Sequence, residues 1–138
     1  MTGGKSNLPA SVAARLLHRA RETGDVYQTL LTSFCFERFL YRLGKSAAHE
    51  RFVLKGAMLL RLWSDQPYRA TRDLDLLRQG DGSLAAIRSD AQEICAIPVE
   101  PDGIVFDAVG LVAWPLGAWV GAFALAGIHN RLARRTAA

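Results

Sequence analysis

Cysteine is nearly absent. Cys35 and Cys95 stand sixty residues apart, outside any Cys-x-x-Cys or His-rich spacing. This argues against a disulfide framework or a zinc site and leaves free thiols in a reducing cytosol as the expectation. His18, His49 and His129 follow no metal-ligand spacing, and His49 reads as a surface or cap residue. No Gly-x-Ser-x-Gly surrounds Ser33, Ser46 or Ser83, so serine-hydrolase chemistry has no support. The opening "MTGGKSNLPAS" lacks the apolar core of a signal peptide, and a cytoplasmic location is the expectation. Acids and lysines also run out along the chain. All 13 acidic residues lie at or before Asp107, all lysines at or before Lys55, and residues 108–138 carry only three arginines as charged side chains.

What is present suits one globular domain. Half of the 138 residues are apolar, 22% are charged, and a net charge of +4 leans mildly toward anionic partners such as nucleotides or RNA. Apolar residues at helical spacing predict a helix from Leu8 to about Glu22, with Pro9 in its first turn and Gly24 as its stop. A second helix is expected from an Asp25 cap to Gly44, with Leu30, Leu31, Phe34, Phe36, Phe39, Leu40 and Leu43 as a broad apolar face toward the core. "RFVLKG" reads as a buried strand ending at Gly56, "AMLLRLWS" as a helix, and "RDLDLLR" as a strand closed by "QGDG". "SLAAIRSDAQEICAI" is an amphipathic helix with Ser83 as its cap, and "PVEPDGIVFD" offers a last short strand. The fold class is therefore α/β (α+β), a helical pair followed by a small mixed sheet. We divide the chain into a helical lead-in (1–50), a core (51–107) and an apolar tail (108–138). "RLLHRAR" in the first helix reads as a solvated basic face.

The chemistry sits in "FVLKGAMLLRLWSDQPYRATRDLDLL", residues 52–77. Alternate residues of a strand share a face, so Asp73 and Asp75 stand side by side, roughly 7 Å apart at their α-carbons. Two like charges so close repel unless a cation or a shared proton relieves them. Hard oxygen donors on a strand suit Mg²⁺, which takes one or two protein carboxylates together with phosphate oxygens. Gly56, between a strand and a helix, lets backbone amides approach a triphosphate, and Lys55 adds a point charge there. Arg69 and Arg72 flank the carboxylates, where a phosphate contact and a surface ion pair are both open. The competing reading is that Asp-x-Asp is a solvated pair on an edge strand.

These residues resemble the signature of the AbiEii/AbiGii-type toxin family, within the DNA-polymerase-β-like nucleotidyltransferase superfamily. The resemblance spans about residues 8–107 and is strongest over 52–77. It implies a strand–glycine–helix turn that holds a nucleoside triphosphate, carried here by Lys55, Gly56 and Ala57. It further implies Thr71 beside the triphosphate, and Asp73 and Asp75 as catalytic ligands of Mg²⁺. The implied activity is transfer of a nucleoside monophosphate from an NTP to an acceptor such as a tRNA 3′ end. The implied setting is a bacterial toxin–antitoxin or phage-defence system, with a cognate antitoxin as partner.

Members of that family run longer, with a third metal-binding carboxylate and a helical C-terminal domain. Asp102 and Asp107 remain as substitutes, but neither sits on a recognisable aspartate–hydrophobic strand. A C-terminally truncated member with impaired activity is the expectation. The alternatives are an inactive remnant of the fold, or a small membrane-anchored protein. In place of the missing part stands "LVAWPLGAWVGAFALAGI", residues 111–128, uncharged throughout. It admits three readings: a membrane helix, an ordinary core helix or strand pair, and a tail read in a shifted frame of a GC-rich gene. We favour the third, because such a frame yields Ala, Gly, Arg, Trp and Pro with few acids or lysines.

Overall fold

A computed structural model describes residues 7–63, 74–106 and 122–123. Helix α1 spans Leu8–Thr23 and α2 spans Tyr27–Lys45. A 3₁₀ turn, Ala47–Arg51, leads into strand β1, Phe52–Lys55, and helix α3, Gly56–Trp63. Strand β2, Asp75–Arg78, precedes helix α4, Leu84–Ala96, and Ala122–Phe123 form the short strand β3. The sheet order is β1-β2-β3, and both pairings are antiparallel. The fold class is the α/β arrangement expected, with helices laid against a small sheet.

Local chemistry explains most of the boundaries. Asn7 caps α1 by accepting from the Ala10 amide, and Gly24 ends the helix at φ 75°, its N–H bonded to the Ala20 carbonyl. Ser83 caps α4 as expected, accepting from the Ala86 amide. The second helix departs from expectation at both ends. Asp25 accepts a 2.7 Å hydrogen bond from Thr23 Oγ1, and Val26 occupies the cap position without a side-chain bond. Gly44 stays helical, and Ser46 ends the helix instead. The Ser46 hydroxyl donates to the Leu43 carbonyl and accepts from the Ala48 amide, so one buried side chain serves both sides of the junction. A helical glycine costs only about 1 kcal/mol relative to alanine, which these bonds and the burial of Leu43 offset.

One predicted element is absent. Residues 97–106 form no strand, although "PVEPDGIVFD" was expected to supply one up to Asp107, which lies outside the described residues. Pro98 and Pro101 have no amide to give a ladder. The segment is held by its side chains instead: Asp102 by two arginines of α2, and Phe106 by an edge-to-face contact with Phe39.

The core joins α2 to the sheet. Phe36, Phe39 and Leu43 pack with Phe52, Met58, Leu74, Leu76, Ile87 and Ile94 in one buried cluster, so α2, β1, α3, β2 and α4 all share it. A smaller cluster of Leu31, Cys35 and Ile104 lies under Leu16 and Phe34. Neither thiol is oxidised: Cys35 is buried and Cys95 half-buried. Burial, and next the negative charge of Asp102, push the Cys35 thiol up to about 11, so it behaves as an inert core residue.

Among the described residues, no helix is long and apolar enough to cross a membrane. The run at 111–128 lies outside them except at Ala122–Phe123, which pair in register with Leu77 and Leu76.

Candidate functional site

The site is built where β1 turns into α3. Lys55 ends β1 and stands directly across the ladder from Asp75, the first residue of β2. Side chains alternate along β2. Leu74, Leu76 and Arg78 are buried, whereas Asp75 and Leu77 lie on the other face and are half-buried. On β1 the same outer face carries Val53 and Lys55, both exposed.

Gly56 makes the junction possible. Its φ is +72°, a conformation that L side chains rarely adopt. A Cβ built there would fall 2.5 Å from Asp75 Oδ2, inside any permissible contact. The Asp75 carboxylate therefore rests against the bare α-carbon of Gly56, at the N-terminus of α3. Helix N-termini expose unpaired N–H groups and a partial positive charge, and so attract anions. Among the described residues, no ion pair or side-chain hydrogen bond engages Lys55 or Asp75, although the two are register partners.

Three of the expected site residues are thus brought together: Lys55, Gly56 and Asp75. Ala57 follows in the first turn of α3. Thr71 and Asp73 lie outside the described residues, as do Arg69 and Arg72. Among the described residues, no group of three or more metal-ligating side chains comes together. Asp75 offers a hard oxygen beside a helix N-terminus, and Mg²⁺ is held by one or two carboxylates with phosphate oxygens completing its shell.

Among the described residues, the two buried carboxylates Asp90 and Asp102 are occupied by arginines. Asp102 receives Arg38 Nε at 2.7 Å and Arg42 at 2.8 and 3.2 Å, and the Ile104 amide donates to it as well. Burial acts to raise this carboxyl, but the hydrogen bonds from Arg42 and Arg38 outweigh it and hold the group below the usual carboxylate range. Asp102 is thereby committed to the fold and does not supply a third metal ligand. Of the histidines, His49 Nδ1 donates to the Ser46 carbonyl, 2.7 Å away, and His18 pairs with Glu22 on the surface of α1.

A second charged knot escaped the sequence reading. Asp90 of α4 receives Arg78 Nε at 2.6 Å on one oxygen and Arg51 Nη2 at 2.8 Å on the other. Arg78 further donates to the carbonyls of Gln79 and Asp81. Burial again acts to raise the carboxyl, and the bonds from Arg78 and then Arg51 bring it below its ordinary value. A signal was available. Arg78 continues the buried alternation of Leu74 and Leu76, and Asp90 falls at helical spacing with Ile87, Ala91 and Ile94. A charge at an apolar position of two neighbouring elements points to a buried pair.

The family model described as "Nucleotidyl transferase AbiEii toxin, Type IV TA system" matches residues 38–113, more than half of the chain. No curated protein and no solved structure matches it.

Proposed function

The chain belongs to the AbiEii nucleotidyl transferase toxin family of type IV toxin–antitoxin systems, and from that premise we propose that it transfers a nucleoside monophosphate from an NTP to an acceptor hydroxyl. Family membership implies a nucleotide substrate and an antitoxin partner, and we assign the 3′ end of tRNA as the acceptor class. The observation that carries this reading is the Asp75 carboxylate lying against Gly56 at the start of α3.

In this reading Lys55 gives the triphosphate a point charge, and the amides of Gly56 and Ala57 receive phosphate oxygens at the helix N-terminus. Thr71 is the polar residue we assign beside the triphosphate. Asp73 and Asp75 would hold Mg²⁺. When bound, the ion neutralises phosphate charge and lowers the pKa of the acceptor hydroxyl. The acceptor oxygen forms a bond to the α-phosphorus as the bond to the β-phosphate oxygen breaks. Pyrophosphate departs and the hydroxyl proton is released.

Titration with Mg–ATP tests the site. Asp75→Asn and Asp73→Asn are each expected to weaken binding at least about tenfold, equivalent to 1.4 kcal/mol. Equal affinity in wild type and both variants would refute the assignment. Incorporation of labelled nucleotide into tRNA then separates an active transferase from a nucleotide-binding remnant.

A further inference from the structure

Strands β1 and β2 are only four residues long, and their sequences fix register poorly. "FVLK" and "DLLR" each contain adjacent apolar residues, Val53–Leu54 and Leu76–Leu77. A shift of one residue moves every side chain to the opposite face. Here the shift would carry Leu77 inward in place of Leu76 at little hydrophobic cost, but it would also turn the buried Leu74 outward and Asp75 inward. It would carry Asp75 out of line with Lys55 and Gly56. The apolar pattern thus opposes the slip at the Leu74–Asp75 end, and a second device acts at the Arg78 end.

The knot on Asp90 is that device. Arg51 immediately precedes β1 and Arg78 ends β2, where it is the register partner of Phe52. Both guanidinium groups converge on the one Asp90 carboxylate, at 2.8 and 2.6 Å. The same end carries a 2.7 Å backbone bond from the Gln79 amide to the Arg51 carbonyl. Arg78 and Asp90 are each 92% removed from solvent at their side chains, so a slipped register strands a charge in the core. Buried ionic groups add little net stability beside apolar replacements, and their best-attested use is to specify register.

We propose that Asp90, acting through Arg51 and Arg78, is a positioning residue for the nucleotide site. It locks the β1–β2 register at one end and thereby sets Lys55 opposite Asp75 at the other, roughly 10 Å away along the strands. This rests on the reading of the Lys55–Asp75 end as the triphosphate site, but the lock has its own readout.

The test replaces the knot by apolar side chains, Arg51→Met with Arg78→Met and Asp90→Leu, in the full chain. Cross-strand backbone NOEs report register, and titration with Mn²⁺–ATP reports the site. The wild type is expected to show one NOE set, with Lys55 facing Asp75. The triple variant is expected to fold with a melting point near or above wild type, yet to show a second NOE set shifted by one residue. Its Mn²⁺–ATP affinity then falls about tenfold if nine-tenths of molecules hold the wrong register. A folded triple variant with the native NOE set alone overturns the proposal, whatever its affinity. Should the triple variant fail to fold, the double variant Arg78→Met with Asp90→Leu decides, because it removes the buried pair and leaves only the partly exposed Arg51 without that partner. A second NOE set supports the lock, and its absence overturns it. Failure of the wild type to bind Mn²⁺–ATP sinks the nucleotide reading and leaves the NOE comparison standing.

Discussion

The two ends of the β1–β2 ribbon use the same kinds of side chain in opposite ways. At the Arg51–Arg78 end, every charge meets a counter-charge from α4; Arg78 and Asp90 are closed against solvent, and Arg51 is partly exposed. At the Lys55–Asp75 end, opposite charges sit across the ladder and form no ion pair. The difference follows from burial. A charge in the core has to be satisfied by the protein itself, because an unpaired one costs several kcal/mol. At the solvent edge water screens the charge, and the protein can leave the group for a ligand. Charged residues that look alike in the sequence are thus divided by their surroundings into those that hold the fold and those free to do chemistry.

The contrast between closed and open charges can be broken hardest at the other closed knot, where Asp102 meets Arg38 and Arg42 of α2. Asp102→Ala removes the counter-charge of Arg42, whose side chain is only 5% exposed. Leaving that guanidinium buried and unpaired is expected to cost about 3–5 kcal/mol, measured by urea denaturation. A loss below about 1 kcal/mol, the value typical of exposed pairs, would show that this pair is not closed in solution.

A smaller effect comes from jamming the open end. Gly56→Ala imposes a left-handed backbone on an L side chain, costing about 1–2 kcal/mol, and its methyl displaces the Asp75 carboxylate. Mg–ATP affinity is expected to fall together with stability, and the shorter side chain of Asp75→Ala in a Gly56→Ala background should recover stability without recovering binding. Additive stability losses in that double variant would mean that the two residues do not touch.

The mildest probe is acid. Asp90 and Asp102 both titrate below the ordinary carboxylate range in the folded protein. Groups whose folded value is depressed stabilise the fold above the unfolded value, about 3.9, and lose that contribution as pH falls through the folded value. The melting temperature is therefore expected to hold steady from neutral pH to about pH 5 and to decline below about pH 4. Asp102→Asn should start lower and decline less steeply, since one of the two linked groups is gone. Parallel melting curves for the two proteins would remove Asp102 from the acid response.

Much of this was legible in the chain. Leu8–Thr23 and Leu84–Ala96 were written by apolar spacing and by local signals: Pro9 and Gly24 for the first, Ser83 for the second. The strand–glycine–helix turn and the following Asp-x-Asp announced themselves through residue type and spacing. The ends of α2 were misplaced because a capping preference at Asp25 and a stop at Gly44 are worth about 1 kcal/mol each. The competing bonds at Thr23 and Ser46 outweighed them. The strand expected at 98–107 failed because its alternation ignored what Asp102 was held by.

By itself, then, the sequence determined the helices at 8–23 and 84–96 and the strand–glycine–helix turn at position 56, through residue type, order and spacing. Only the tertiary structure decided which charges are spent on the fold. Whether Asp75, Asp90 or Asp102 meets an arginine depends on contacts between residues 12 to 64 positions apart, and short-range periodicity carries no record of such distances.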